Sequence, residues 1–345
     1  MALSQTAVDD LTRKGAERGV DLRPGLDLVE ERLRSTVASE LPFVEAAARY
    51  LMDAGGKRFR PMLVLLTGMV GGADPDDHRL VDAGVIVELV HLSTLYHDDV
   101  IDGADVRRGA PATHVRWSNT VAILSGDFLL ARASELSAAL GVEVTRIMAR
   151  TIADLCQGQI REVQGSRDAA LHGATPVTAD REHYQRVISE KTASLIASSC
   201  RLGALLSAQP AEALELLTRF GCHLGMSFQL ADDVLDVASA ETESGKVPGT
   251  DLRQGVRTLP VLLALEADGP DSRLQRLLDE PDAGNIDEAL SLLRDHAALD
   301  LARDVARLEA AKARRVLRAL PEPLVRAGAV DGLLFLADHA ADRVG

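Results

Sequence analysis

Two five-residue words, Asp98-Asp99-Val100-Ile101-Asp102 and Asp232-Asp233-Val234-Leu235-Asp236, each close a long apolar stretch. On an α-helix positions i and i+4 share a face, so Asp98 stands over Asp102 and Asp232 over Asp236, with Asp99 and Asp233 about 100° round the axis. Carboxylates so placed repel by a few tenths of a kcal/mol, and more when half buried, which calls for a compensating cation. Magnesium suits them: it takes one or two carboxylates, keeps several waters and fills its remaining positions with phosphate oxygens. A solvated acidic face is the alternative. The apolar runs 89–97 and 226–231 that lead into the two words speak against it.

Cations stand close to these acids in the chain. Gly55-Gly56-Lys57-Arg58-Phe59-Arg60-Pro61 packs three of them into a glycine-rich turn before a helix, the composition of a phosphate grip, in which glycines permit close backbone approach and Lys and Arg supply donors. Arg107 and Arg108 follow the first acidic word in a second basic turn and can neutralise diphosphate oxygens that a metal leaves unbound. Lys191, in Glu190-Lys191-Thr192-Ala193-Ser194-Leu195, sits inside an otherwise apolar helix, and Lys246 lies in the loop after the second word. A lysine there is expected where an anion compensates it, although a snorkelling surface lysine reads equally well from these residues alone. His91 lies two turns before Asp98 on the same face, either in that cavity or as a satisfied core histidine.

The elements that must position these groups are helices. The chain has 345 residues, 46% hydrophobic but only 3% aromatic, rich in Ala and Leu, with few alternating strand-like runs, so the expected class is all-α. Helices are predicted over 26–54 (broken at 41–42), 61–70, 78–102, 116–140, 143–164, 180–207 and 210–237, with shorter ones from 259 to 343, and the Gly/Pro-rich stretch 242–251 is expected to be a loop. Residues 1–24 mix both charges and read as a partly ordered tail rather than a signal peptide. Residues 25–345 read as one domain, a bundle in which the two acidic helices face each other. A formal charge of −14 disfavours nucleic-acid binding and makes local cations necessary for any anionic substrate. Cys156, Cys200 and Cys222 show no metal-ligand spacing and are expected as reduced core thiols in a cytoplasmic setting. No uninterrupted apolar run reaches the length of a membrane span, so no integral membrane segment is expected, although peripheral membrane contact for product release stays open.

Taken together, GGKRFRP at 55–61, HDDVIDGADVRRG at 97–109, EKTASL at 190–195, FQLADDVLD at 228–236 and GKVPGTDLRQGVRTLP at 245–260 resemble the all-trans polyprenyl diphosphate synthases, the long-chain branch of the farnesyl and geranylgeranyl diphosphate synthase family. The match runs nearly end to end. The resemblance implies the isoprenoid synthase fold, an antiparallel single-domain bundle around a deep central cavity, working as a homodimer. It implies that Asp98, Asp99 and Asp102 hold two magnesium ions on an allylic diphosphate and Asp232, with Asp236, a third. Arg107, Lys191, Thr192, Gln229 and Lys246 would contact that diphosphate, and Lys57, Arg60, His91 and Arg108 the isopentenyl diphosphate. Asp98, Asp102, Asp232 and Lys191 would carry the catalysis. One departure stands out: where the family often has Gly-Lys, this chain has Gly255-Val256-Arg257, and a cation one residue late on a helix points about 100° away.

The implied chemistry is ionisation of the allylic C–O bond, attack by the isopentenyl double bond and loss of a proton, with pyrophosphate as the base. Ser93 and Thr94, the small residues one turn before Asp98, would form the first floor for the growing tail, with Leu89, Val90 and Ile86 deeper. Small side chains there leave a tunnel open, and the expected product is a long all-trans chain of roughly 30 to 50 carbons, of the kind used for quinone side chains. A shorter-chain farnesyl or geranylgeranyl synthase and a class I terpene cyclase are the alternatives. The second acidic word and the Lys57/Arg60 grip argue against the cyclase. Dependence on a second subunit is not legible in these residues.

Overall fold

The structure, a computed structural model, describes residues 20–167, 169–239, 248–321 and 326–343. Its class is all-α as expected. Strand pairing among the described residues is confined to a hairpin of β1 (Val106–Arg107) and β2 (Ala110–Pro111), in register Val106 to Pro111 and Arg107 to Ala110. The chain divides into two compact units. The first runs to Ile152 and takes in Leu195–Gly221 and Val316–Phe335; the second comprises Ala153–Ser194, Cys222–Arg315 and the chain from Leu336 on.

In the first unit, α1 (Arg23–Thr36), α2 (Pro42–Asp53), α3 (Phe59–Val70) and α6 (Asn119–Leu140) surround or border α4 (His78–Ile101), with a single helical turn, α5 (Thr113–Arg116), between the hairpin and α6. α4 starts at an Asp77 cap that accepts the Arg79 amide at 2.8 Å. Val85, Ile86, Val87, Leu89, Val90 and Leu92 are all fully buried, so α4 lacks the single apolar stripe of a surface helix and is a core helix. By length and composition α4 is apolar enough to cross a membrane, although charged residues interrupt it. It is, however, 72% buried inside the protein over that stretch, as a core helix is. The helix expected from residue 116 begins instead at Asn119, where Ser118 accepts the Val121 amide at 3.2 Å.

Helix α7 (Val142–Gly165) is followed by a 3-10 turn (Ala169–His172), then α8 (Arg181–Ile188), a π-helical turn (Ser189–Ala193) and α9 (Ser194–Leu206). The single helix expected over 180–207 is thus interrupted. α10 (Ala211–Ala238) carries the second acidic word, and a short α11 (Thr250–Arg253) follows where only loop was expected; residues 240–247 of that loop lie outside the described residues. α12 (Leu259–Asp268), α13 (Arg273–Asp279), α14 (Ala283–Arg294), α15 (Ala297–Leu317) and α16 (Ala327–Asp342) complete the chain. The core of the second unit packs Leu230, Ala231 and Val234 of α10 with Val261 and Leu262 of α12 and Ala302 and Ala306 of α15. Of the cysteines Cys200 is buried and Cys222 half-buried, but Cys156 is exposed, a correction to the reading of all three as core thiols: an apolar context in sequence does not tell which face of a helix a residue occupies.

Candidate active site

The first unit gathers cations at the start of α3. Gly55 at φ +105° and Arg58 in the left-handed region turn the chain out of α2, and a Cβ on Gly56 would strike the Arg58 guanidinium. Lys57, Arg58 and Arg60 thereby line one cavity of 310 Å³ with Glu88 and His91 of α4 and with Arg108. Lys57, Arg60, His91 and Arg108, expected on one substrate, are therefore brought together. The roles of the three arginines differ. Arg58 is 7% exposed and is neutralised by Glu30 and by Glu88, the latter at 3.0 Å. Arg60 keeps a buried Nε without a hydrogen-bond partner; burial holds its pKa down at about 10 against the pull of Glu88, and Arg108 adds to the depression. Arg108 donates to the carbonyls of Leu51 at 2.7 Å and of Gly55, so it rests on the negative end of the α2 dipole. Burial, then Arg60 and Arg108, push the His91 pKa well below its ordinary value. The ring is neutral and can donate one N–H without adding charge.

On the same helix Asp98 and Asp102 are half-buried, and the Asp102 amide bonds the Asp98 carbonyl at 2.7 Å, which keeps the helical spacing that puts both carboxylates on one face. Asp99 is fully buried and accepts Arg107 Nε at 2.6 Å, while its Oδ2 is buried without a partner; burial raises its pKa in spite of Arg107. The hairpin folds Arg107 back onto the helix, so two residues expected to meet magnesium and diphosphate meet each other. Ser93 is buried with an unpartnered hydroxyl, and Thr94 is half-buried and donates to the His91 carbonyl at 2.8 Å. Tyr96 packs against α2, where its hydroxyl bonds the Ala47 carbonyl at 2.6 Å and accepts the Leu51 amide at 3.1 Å.

The second unit holds the other acidic word. Asp232 pairs with Arg343, whose guanidinium also stacks 4.7 Å over the Phe228 ring. Asp236 accepts the amides of Thr250 at 3.2 Å and Asp251 at 3.1 Å at the start of α11. Asp233, between them, is buried and takes the Tyr184 hydroxyl on one oxygen and Gln229 Nε2 on the other at 2.8 Å. Burial lifts its pKa to about 7. Gln229 in turn accepts the Thr192 hydroxyl at 2.8 Å. Thr192 and Lys191 lie on the π turn, and Lys191 pairs with Glu162 of α7. That turn comes so close to α7 that a Cβ on Gly158 would lie 2.5 Å from the Lys191 amide nitrogen. Burial and the neighbouring Asp236, Asp233 and Glu162 raise the Asp251 pKa well above its ordinary value, with Lys191 opposing. Lys246 lies outside the described residues. Val256 and Arg257 line a separate cavity of 360 Å³ with Arg167, Leu278 and Asp279, and Arg257 comes within 4.0 Å of Asp279.

Among the described residues no group of three or more Asp, Glu, His or Cys side chains forms a ready-made metal cage. Carboxylates offered in pairs on one helix face nevertheless suit magnesium, which prefers one or two protein oxygens and completes its shell with water and phosphate. Asp98 with Asp102 in the first unit, and Asp232 with Asp236 in the second, each offer such a pair. Arg58, one of the three cations of the expected phosphate grip, is committed to Glu30 and Glu88; sequence reasoning overlooked those two acids, and Tyr184, Glu162, Asp251 and Arg343. Glu88, a lone acid inside an apolar helix, carried a signal of its own; Arg343, far from any motif, carried none.

The profile described as Polyprenyl synthetase matches residues 41–293. The chain is 43% identical over 327 residues to nonaprenyl diphosphate synthase of Mycobacterium tuberculosis, with 94% of each chain covered. It is 36% identical to heptaprenyl diphosphate synthase component 2 of Bacillus subtilis, with 88% of this chain and 85% of the relative covered. Among solved structures it is similar to a polyprenyl synthase from Caulobacter crescentus complexed with calcium and isoprenyl diphosphate, with a TM-score of 0.86, 32% identity and 98% of each chain covered.

Proposed function

The chain belongs to the polyprenyl synthetase family, and from that premise we propose that it is a trans-prenyltransferase that condenses isopentenyl diphosphate onto an allylic diphosphate to build a long all-trans polyprenyl diphosphate. The observation that carries this reading is the cavity in which Lys57, Arg60, His91 and Arg108 converge. An under-neutralised arginine, a second arginine resting on a helix end and a neutral histidine donor make a site for a diphosphate that is bound and retained. Asp98, Asp102, Asp232 and Asp236 serve the diphosphate that leaves. Magnesium, when bound there, supplies the positive charge that stabilises the departing pyrophosphate.

The chain's own residues do the rest. Lys191 and Thr192, carried on the π turn, bind beside the reacting carbon. Gln229 orients Thr192. The buried faces of α4 exclude water, which would otherwise quench the allylic cation. Lys246 completes the contacts to the allylic diphosphate, Arg107 is delivered to it through Asp99, and pyrophosphate takes the proton. Residues 25–345 act as one catalytic domain; α7, α10, α15 and α16 run through the unit boundaries without a linker. Exposed Leu41 and Phe43 at α2 and Ile123 and Leu124 on α6 favour a second copy of this chain as partner.

The product is long. Ser93 and Thr94 place no bulky side chain one turn before Asp98, and from Asp98 back to His78 α4 extends about 30 Å, the length of several isoprene units. The Bacillus relative, as component 2, favours a second reading in which this chain works with another subunit. The test is incubation of purified protein with magnesium, labelled isopentenyl diphosphate and a series of allylic primers, followed by sizing of the products. Incorporation into long chains is expected. Incorporation that stops at farnesyl or geranylgeranyl length would overturn the long product, and none with any primer would leave only the two-subunit reading or none.

A further inference from the structure

Three hydrogen bonds in the second unit run in a directed series that ends on one carboxylate. Thr192 donates to Gln229 Oε1 at 2.8 Å, Gln229 Nε2 donates to Asp233 Oδ1 at 2.8 Å, and the Tyr184 hydroxyl donates to Asp233 Oδ2. The amide of a glutamine can turn end for end, and its neighbours decide which end points where. Here the carboxylate decides it. With nitrogen toward Asp233 and oxygen toward Thr192 both bonds form; reversed, an oxygen faces a carboxylate oxygen. Thr192 therefore spends its only proton on Gln229, and its lone pairs stay on the side away from that bond.

The series depends on Asp233 keeping its place. Asp233 is 3% exposed and Tyr184 5%, and a buried carboxylate is tolerated only with its oxygens satisfied. Tyr184 is locked from the other side, since its ring belongs to the core cluster with Ile188, Leu230 and Val234. α8 thus presents a rigid hydroxyl to the middle residue of the acidic word. Asp233 has both oxygens engaged and is a fixed acceptor.

We propose that Tyr184 is a positioning residue for the prenyl transfer: through Asp233 and Gln229 it fixes the Thr192 hydroxyl with its lone pairs presented to the allylic group as that group becomes positive. This rests on the prenyltransferase reading and adds to it a residue that never touches substrate. An oriented oxygen dipole stabilises developing positive charge without reorganising during the reaction. If the amide of Gln229 were free to turn, Thr192 would present its proton for part of the time, and the cation would lose that support.

The test compares wild type, Tyr184→Phe, Thr192→Val and the double variant for kcat, for KM of each substrate and for thermal melting. Tyr184→Phe is expected to lower kcat about tenfold while leaving KM for isopentenyl diphosphate within about twofold. Because Tyr184 acts through Thr192, the double variant should be no slower than Thr192→Val alone. An unchanged kcat in Tyr184→Phe overturns the proposal, and so do multiplicative effects in the double variant. If Tyr184→Phe melts too early to assay, Asp233→Ala, which leaves no side-chain acceptor to order Gln229, takes its place in the same cycle with the same expected and overturning results. Wild type in the same series separates the two ideas: an inactive wild type removes the prenyltransferase reading itself, whereas an active wild type with an unaffected variant removes only the role of Tyr184.

Discussion

His91 shows how one residue can be tuned by charge of its own sign. Burial and the surrounding arginines hold its pKa well below the usual histidine value, so folding keeps off a proton that the unfolded chain takes up below about pH 6.5. A depressed folded-state pKa gives a contribution that is fully present above the unfolded value and is lost as pH falls. Wild type is therefore expected to lose stability on going from pH 7 to pH 5 more steeply than His91→Gln, by a difference approaching about 1.4 kcal/mol per pH unit below 6.5. Denaturant titrations of the two proteins at each pH check this, and parallel curves would contradict it. The arginines of that cavity differ: Arg58 is committed to Glu30 and Glu88, while Arg60 retains an unpartnered buried Nε. Three neighbouring cations look alike in a row of letters. What distinguishes them is which way a left-handed turn throws each side chain.

At the scale of elements, the π turn is where local propensity and packing part. Nothing in Ser189-Glu190-Lys191-Thr192-Ala193 breaks a helix by propensity, yet the turn widens there beside α7, where Gly158 leaves no side chain between the backbones. Gly158→Ala puts a methyl group 2.5 Å from the Lys191 nitrogen, and backbone cannot move aside cheaply. A loss of about 1–3 kcal/mol by denaturant titration is expected, together with lower turnover, because Lys191 and Thr192 move with the turn. Normal stability and turnover would mean that the contact yields easily. Helix α4 makes a second prediction. Ser93→Phe, and Thr94→Phe at the less buried neighbouring position, should each shorten the product by one or more isoprene units, read by chromatography of the dephosphorylated chains; unchanged lengths from folded variants would place the tail elsewhere.

For the whole molecule, a charge of −14 and two anionic substrates look incompatible until the cations are located. Lys57, Arg60 and Arg108 are concentrated in one cavity. Assembly is a property of the same scale. Leu124 is 60% exposed and Phe43 54%, both in the first unit, and they belong to the face proposed for a second copy. Leu124→Glu is expected to shift the sedimentation coefficient from dimer to monomer, since a carboxylate in a self-complementary contact repels its own image. A wild-type monomer, or a variant that sediments as wild type does, would exclude this face as the contact.

The sequence by itself determined the class, most helix positions and the chemistry on offer, because periodicity, glycine turns and carboxylate spacing are local properties that fold with the nearest few residues. It also singled out Lys57, Arg60, His91 and Arg108 as one group, through resemblance to relatives. Only the tertiary structure decided which groups pair with which. Arg107 on Asp99, Arg343 on Asp232 and Tyr184 on Asp233 are pairings between residues 8, 111 and 49 positions apart. No spacing rule reaches the two longer ones. They form because burying a charged group is costly unless a partner is already in place, and that partner comes from whichever element packing brings beside it.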